Sequence, residues 1–178
     1  VHLEAASLIA PHGLFELLAD LGEGENGFNG TAVARGEMSI PEYLQYCVDM
    51  TDPSSLKPGY VLQTVFWVLD ESGEAIGLVR VRHYLNDRLR DRGGHIGYYI
   101  RRDRRGRGYG REALRLGLME LKKIGEQKAM LTVDMENLPS RRVIEANGGR
   151  LESTGLDDEG RPFGRYWIEM ESASSTCG

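Results

Sequence analysis

Apolar and polar positions along this chain fall into short blocks, each with the period of one kind of element. Residues 1–6 (Val-His-Leu-Glu-Ala-Ala) alternate with a period of two, which predicts a strand. Over 13–21, Leu14, Leu17, Leu18 and Leu21 recur at helical spacing. The glycine-rich, acidic stretch 22–30 reads as a loop. Residues 41–50 read as a second helix, with Ser39 as its cap, Pro41 in its first turn, and Tyr43, Leu44, Tyr46 and Cys47 as apolar positions. A loop with two prolines follows over 51–59.

The pattern then becomes β-rich. Runs 61–69 and 75–81, joined by Asp70-Glu71-Ser72-Gly73-Glu74, predict a hairpin. An Arg/Asp-rich loop over 86–94 leads to a strand over 95–100. Leu114, Leu118, Leu121 and Ile124 mark the buried stripe of a helix that stops at Gly125. Residues 130–133 predict a short buried strand, and 140–146 a helix ended by Asn147-Gly148-Gly149. Segments 150–153 and 165–170 flank the turn Asp157-Asp158-Glu159-Gly160 as a closing hairpin. Residues 171–178 read as a disordered tail, leaving 1–170 as a single domain. This order predicts an α+β or mixed-sheet domain.

Composition narrows the function. No apolar run approaches the roughly 20 residues of a membrane span, and no secretory leader pattern is visible, so a cytoplasmic protein without membrane partners is expected. Cys47 and Cys177 give no disulfide framework, and four scattered histidines give no zinc spacing, so no metal is expected. The net charge is −5, yet Arg101, Arg102, Arg104, Arg105, Arg107 and Arg111 lie close together. An acidic chain that concentrates arginines in one place predicts a local anion site, not a nucleic-acid-coating surface.

Those arginines surround Gly106, Gly108 and Gly110, between the end of a strand and the start of a helix. Alternate glycines let the backbone bend tightly and approach a ligand, and the helix adds orphan N–H groups and a positive dipole end. The combination predicts a pyrophosphate site made mainly of main chain. No lysine follows any of the glycines, which excludes a P-loop, and the glycine spacing fails the dinucleotide fingerprint.

Arg105-Gly106-Arg107-Gly108-Tyr109-Gly110 instead resembles the Arg/Gln-x-x-Gly-x-Gly/Ala signature of the GNAT acetyltransferase superfamily. Asn137-Leu138-Pro139-Ser140, running on to Glu145 and Gly148-Gly149, resembles the second motif of that superfamily's ribosomal-protein alanine acetyltransferases. The segments from Arg80 to Asn86 and from Gly93 to Tyr98 are similar to a bacterial group known only as predicted acetyltransferases. The resemblance covers nearly the whole chain and implies the GNAT fold, with a mixed, mostly antiparallel sheet of about seven strands and about four helices.

It further implies acetyl-coenzyme A as co-substrate, held by Arg105, Gly106, Arg107, Gly108, Tyr109, Gly110 and Arg111, with Asn137 and Ser140 gripping the pantetheine. Main-chain N–H groups around Tyr98, Tyr99 and Ile100 would polarise the thioester carbonyl. The acceptor would be a small-molecule amine or a peptide N-terminus or lysine, attacking directly without an acyl-enzyme. From the residues alone, Asn137 or Ser140 reads equally as a plain helix cap.

The chain departs from the family pattern twice. The tyrosine that often protonates the thiolate is replaced by Ile144, which leaves Ser140 as the candidate acid. The positions of the usual base are Ile96 and Gly94, which leaves His95 between them as the candidate base. His83, Asp134 and Glu136 are further candidate bases. Phe28, Tyr43, Tyr60, Tyr166 and Trp167 are candidate acceptor-lining aromatics, and Glu23, Glu25, Asp157, Asp158 and Glu159 would suit a cationic amine. A homodimer through the terminal strands is possible. The rival readings are transfer of another acyl group, a catalytically silent coenzyme A-binding domain, and an RNA-binding module.

Overall fold

The computed structural model describes residues 1–170. The tail expected over 171–178, with Cys177, lies outside the described residues.

The first strand, β1 (His2–Ala5), is followed by helix α1 (Leu14–Leu21), whose four leucines are all buried. A two-residue hairpin, β2 (Gly24–Glu25) and β3 (Phe28–Asn29), stands where a loop was expected. Its turn is Asn26-Gly27 with both φ angles positive, 48° and 80°, the dihedral pattern that two-residue hairpins favour. Helix α2 (Ile40–Asp49) opens with a capping box: the Ser39 hydroxyl accepts from the Glu42 N–H, and the Glu42 carboxylate accepts from the Ser39 N–H.

Strands β4 (Gln63–Leu69) and β5 (Ala75–Arg82) form the expected hairpin. A short helix, α3 (Asp87–Asp91), occupies part of the expected loop, capped by the Asn86 carboxamide on the Leu89 N–H at 3.0 Å. Strand β6 (Ile96–Ile100) leads into helix α4 (Tyr109–Lys123). Ile124 is half exposed rather than part of the buried stripe, because the helix ends one residue before it. Strand β7 (Lys128–Asp134), helix α5 (Leu138–Ala146) and the hairpin β8 (Arg150–Leu156) with β9 (Pro162–Glu169) complete the chain.

The result is the expected α+β architecture, with antiparallel ladders throughout the described residues. The strands run β1-β4-β5-β6 on one side and β7-β9-β8 on the other. One apolar cluster packs α1 and α2 against Val65, Trp67, Leu69 and Leu78. The other packs α4 against Val68, Val79, Val81, Ile96 and Leu131. Alternation along β4 sends Val65 and Trp67 to one cluster and Val68 to the other.

The junction of the two sheets creates the site. Near its start, β6 touches β7 through a single bridge between Gly94 and Leu131, and the His95 N–H donates to the Met130 carbonyl at 2.7 Å. A Cβ at position 94 would lie 2.2 Å from the Met130 oxygen, so glycine is required for that approach. Beyond this pinch no ladder joins the two strands, and a cavity opens between them.

Candidate functional site

The polar groups of β6 follow from its register. Arg82 donates through its N–H to the His95 carbonyl at 2.7 Å, and Arg101 to the Ile76 carbonyl at 2.9 Å. With Leu78 opposite Tyr99, these bonds put the main-chain groups of odd-numbered residues toward β5. Those of Ile96, Tyr98 and Ile100 therefore face the gap toward β7. The N–H groups of Tyr98 and Ile100 meet no strand there, while the Ile100 carbonyl accepts from Arg105 Nε at 2.9 Å.

After β6 the chain makes a 3-10 turn over Arg102–Arg104 and bends through Gly106 and Gly108, with φ of 75° and 83°. Both glycines sit in the left-handed region, and a Cβ on either would meet nothing within 4 Å. Gly110 is different: it lies inside α4 with ordinary contact distances, so its lack of a side chain is not demanded by φ. Gly108 caps α4 and has no side chain to offer, whereas α2 and α5 are capped by Ser39 and Asn137. The first amides of α4 are thus left for a ligand. Open space, positive φ and an uncapped N-terminus together fit a diphosphate cradle.

The cavity has a volume of about 470 Å³. Of the predicted coenzyme residues, Tyr98, Tyr99, Ile100, Arg105, Gly106, Gly108, Tyr109, Gly110, Arg111, Asn137 and Ser140 line it, and exposed Arg107 does not. Glu25, Asn26 and Phe28 of the small hairpin also line it. Reading 22–30 as a plain loop missed them, although the Asn26-Gly27 dipeptide is a hairpin signal.

Most of the crowded arginines are not free to hold an anion. Arg101 bonds Glu74 at 2.6 Å and Asp103 at 2.7 Å. Arg104 pairs with Glu74 and reaches Asp70 at 3.4 Å. Arg102 meets Glu25 at 2.9 Å, and Arg105 pairs with the same carboxylate while its guanidinium lies 5.1 Å from the Tyr99 ring centre. Among the described residues, only Arg107 and Arg111 of the six form no salt bridge. Four members therefore anchor the loop, while Arg105 and Arg111 also line the cavity.

Asn137 caps α5, its carbonyl oxygen accepting from the Ser140 N–H at 3.2 Å, while its side chain also borders the cavity. The Tyr98 hydroxyl donates to Ser140 Oγ at 3.1 Å. Burial pushes the Tyr98 phenol up to about 12, partly offset by that bond, so it stays protonated at neutral pH. Accepting from Tyr98 leaves the Ser140 hydrogen free to point elsewhere. Sequence reasoning counted Tyr98 for its main chain and missed this side-chain pairing, which depends on α5 packing over β6. Ile144 is a core residue, 2% exposed.

His95 does not line this cavity. Its ring is 4% exposed; Nδ1 accepts from the Met130 N–H at 3.0 Å, and the ring meets Trp167 edge-on. Burial, with Arg82 and Arg90 nearby, pulls it down to about 4. Instead of facing a ligand as a base would, His95 ties the start of β6 to β7 through its two bonds with Met130. His83 bonds Thr64 across the β4–β5 pair at 2.8 Å, and Asp134 is bound to Arg92 at 3.1 Å. Tyr43, Tyr60, Tyr166 and Trp167 also lie outside the cavity, whereas Phe28 lines it. Cys47 is buried, and burial pushes its thiol up to about 11. Among the described residues no group of His, Cys, Asp and Glu could hold a metal, and no helix is long and apolar enough to cross a membrane.

Residues 37–150 match the family described as an Acetyltransferase (GNAT) domain. No curated protein sequence matches the chain. Among solved structures it is similar to a chimera of the spermidine N-acetyltransferase SpeG from Vibrio cholerae and hSSAT, with 18% identity, 96% of each chain covered and a TM-score of 0.66. A Bordetella pertussis protein described as a GNAT-family acetyltransferase shows 20% identity over 93% of each chain, with a TM-score of 0.62. The yncA protein of Salmonella typhimurium, described as an acetyltransferase with its cofactor acetyl-CoA, shows 16% identity over 64% of this chain and 68% of its own, with a TM-score of 0.50.

Proposed function

Because the chain belongs to the GNAT acetyltransferase family, we propose that residues 1–170 form one catalytic domain that moves an acetyl group from acetyl-coenzyme A to a primary amine by direct attack. The observation that carries this reading is the uncapped start of α4 behind Gly106 and Gly108, opening onto the same cavity as the unpaired strand edge of β6. Acetyl-coenzyme A supplies the activated thioester.

The chain's own residues would act as follows. The amides after Gly108 hold the diphosphate, with Arg111 at the rim. Asn137 meets the amide-bearing arm with the side-chain N–H groups its capping role leaves over. The N–H of Tyr98 or Ile100 donates to the thioester oxygen as charge develops on it. The amine, attacking in its neutral form, bonds through nitrogen to the acyl carbon as the carbon–sulfur bond breaks, and the proton it loses passes to solvent. Ser140 gives a proton to the departing sulfur and takes one back from Tyr98, which is reprotonated from solvent. A direct route suits the surroundings of Cys47, whose buried, proton-holding thiol is a poor nucleophile.

Calorimetry with acetyl-coenzyme A, followed by thiol release with an amine panel, tests the reading. Binding in the micromolar range with amine-dependent release of free coenzyme A is expected. Absence of heat would end the coenzyme reading, and an isolable acetylated enzyme would end direct attack.

A further inference from the structure

A second cavity, of about 350 Å³, lies on the other side of the small hairpin. Its wall carries Arg35, Arg80, Arg82 and Arg88, and among the described residues no Asp or Glu lines it. That is unexpected in a protein of net charge −5. Arg80 and Arg82 are two apart on β5, so both side chains leave the same face of the strand. Arg80 lies 4.4 Å from the Phe28 ring centre and donates to the Asn29 carbonyl at 3.1 Å. Arg82 donates to the Gly93 and Gly94 carbonyls at 3.1 and 3.0 Å.

Neither of these two, nor Arg88, forms a salt bridge in the described residues. Arg35 alone has an acidic partner, Glu37 at 3.0 Å, and both are exposed at the rim. Burial, with Arg80 and Arg88 nearby, pulls Arg82 down to about 10, so it remains a cation at neutral pH. Like charges gathered on one concave wall raise each other's energy and attract an anion. Tyr43, Tyr46 and Tyr60 supply the rest of the lining.

A third cavity, of about 90 Å³, lies between the other two. It shares Tyr98, Asn137 and Ser140 with the coenzyme cavity, and Asn29, Arg80 and Arg82 with the arginine-lined one. Glu25 and Asp157, which might have favoured a cationic substrate, are occupied by arginines elsewhere.

We propose that the acceptor is an amine that also carries a carboxylate or phosphate group, which Arg80, Arg82 and Arg88 hold while the amine reaches through the small cavity toward Tyr98 and Ser140. This rests on the coenzyme reading of the first cavity. It also sets the chain apart from polyamine acetylation, since a second ammonium would be repelled by the same guanidinium groups.

The test uses matched acceptors: γ-aminobutyrate and O-phosphoethanolamine against 4-aminobutanamide and ethanolamine, with spermidine as the cationic member. Coenzyme A release should favour at least one anionic amine over its neutral counterpart by roughly tenfold or more in kcat/KM. The better of the two anions identifies carboxylate or phosphate as the group recognised. Arg80→Gln should raise the KM for that acceptor roughly tenfold while keeping the acetyl-coenzyme A Kd within about twofold.

Because none of these amines need be the natural acceptor, glutarate and inorganic phosphate are titrated against thermal unfolding with saturating coenzyme A present. At least one should raise the Tm of the wild type and not of Arg80→Gln. Preference for spermidine or the neutral amides overturns the proposal, as does the lack of any anion-dependent Tm shift. Failure of the wild type to bind acetyl-coenzyme A overturns the underlying reading instead, and the anion titration repeated without coenzyme still reports on the arginine wall.

Discussion

Two sets of arginines in this molecule have the same chemistry and opposite electrostatic standing. Arg101, Arg102, Arg104 and Arg105 follow one another along a single loop, and each is matched by a carboxylate from a distant part of the chain. Their charge is largely compensated, and what they contribute is position: they fix the loop between the β4–β5 turn and the β2–β3 hairpin. Arg80, Arg82 and Arg88 come from a strand and a separate short helix, and they converge on a cavity that no Asp or Glu lines among the described residues. Charge density along a chain therefore says little about the field at a site. The paired set anchors a loop, and the dispersed set carries the uncompensated charge.

The largest effect that would break this division is expected at Gly108. Valine there must adopt a φ near 83° and would project into the open space before α4. Gly108→Val should weaken acetyl-coenzyme A binding roughly 100-fold or more with an unchanged circular dichroism spectrum. A Kd within a few-fold of wild type would return the binding role to the loop arginines. Next, Ser140→Ala and Tyr98→Phe should each lower kcat roughly 30-fold with little change in the acetyl-coenzyme A Kd. An unchanged kcat in both variants would remove that pair from proton delivery.

A matched pair of substitutions sharpens the contrast directly. Arg80→Gln should act on acceptor KM, as above, and leave the Tm nearly unchanged. Arg104→Gln should leave acceptor KM alone and lower stability by about 1–2 kcal/mol, a few degrees in Tm, by stripping Glu74 and Asp70 of a partly buried partner. Exchanged outcomes would reverse the assignment of the two sets.

The smallest effect concerns His95, which feels burial first and then Arg82 and Arg90. Its folded-state pKa, about 4, lies below the ordinary 6.5, so the unfolded chain binds its proton more readily. Stability is fully present above about pH 6.5 and is lost as the pH falls toward about 4. Urea denaturation at pH 7.5 and 5.5 should therefore show an acid loss about 1 kcal/mol larger in the wild type than in His95→Gln. Equal losses would mean that the imidazole is not held neutral by its surroundings.

Much of the framework was legible locally. The leucine spacing of α1, the Ser39 cap with Pro41 behind it, and the glycine-punctuated start of α4 are each written within about ten consecutive residues, because φ preferences, caps and helical periodicity act over that range. Short elements were harder. The Asn26-Gly27 hairpin and α3 each depend on a turn signal without a long apolar repeat beside it, and Ile124 misled because α4 ends one residue before it. The site was legible where it is made of main chain. It was opaque where a side chain needed a partner from elsewhere, as with Tyr98 and Ser140, or with His95, which the β6–β7 contact turns inward.

The sequence by itself determined the backbone of the bend before α4, since glycine at positive φ and an uncapped helix start are properties of adjacent residues. Tertiary structure alone decided which arginines are neutralised. Asp70 and Glu74 reach the loop through the pairing of β4, β5 and β6, Glu25 through the packing of the β2–β3 hairpin on β6, and Arg80, Arg82 and Arg88 meet only because β5 and α3 are folded against the same cavity. Ion pairing is a matter of distance in space, and a chain fixes distance only between near neighbours until it folds.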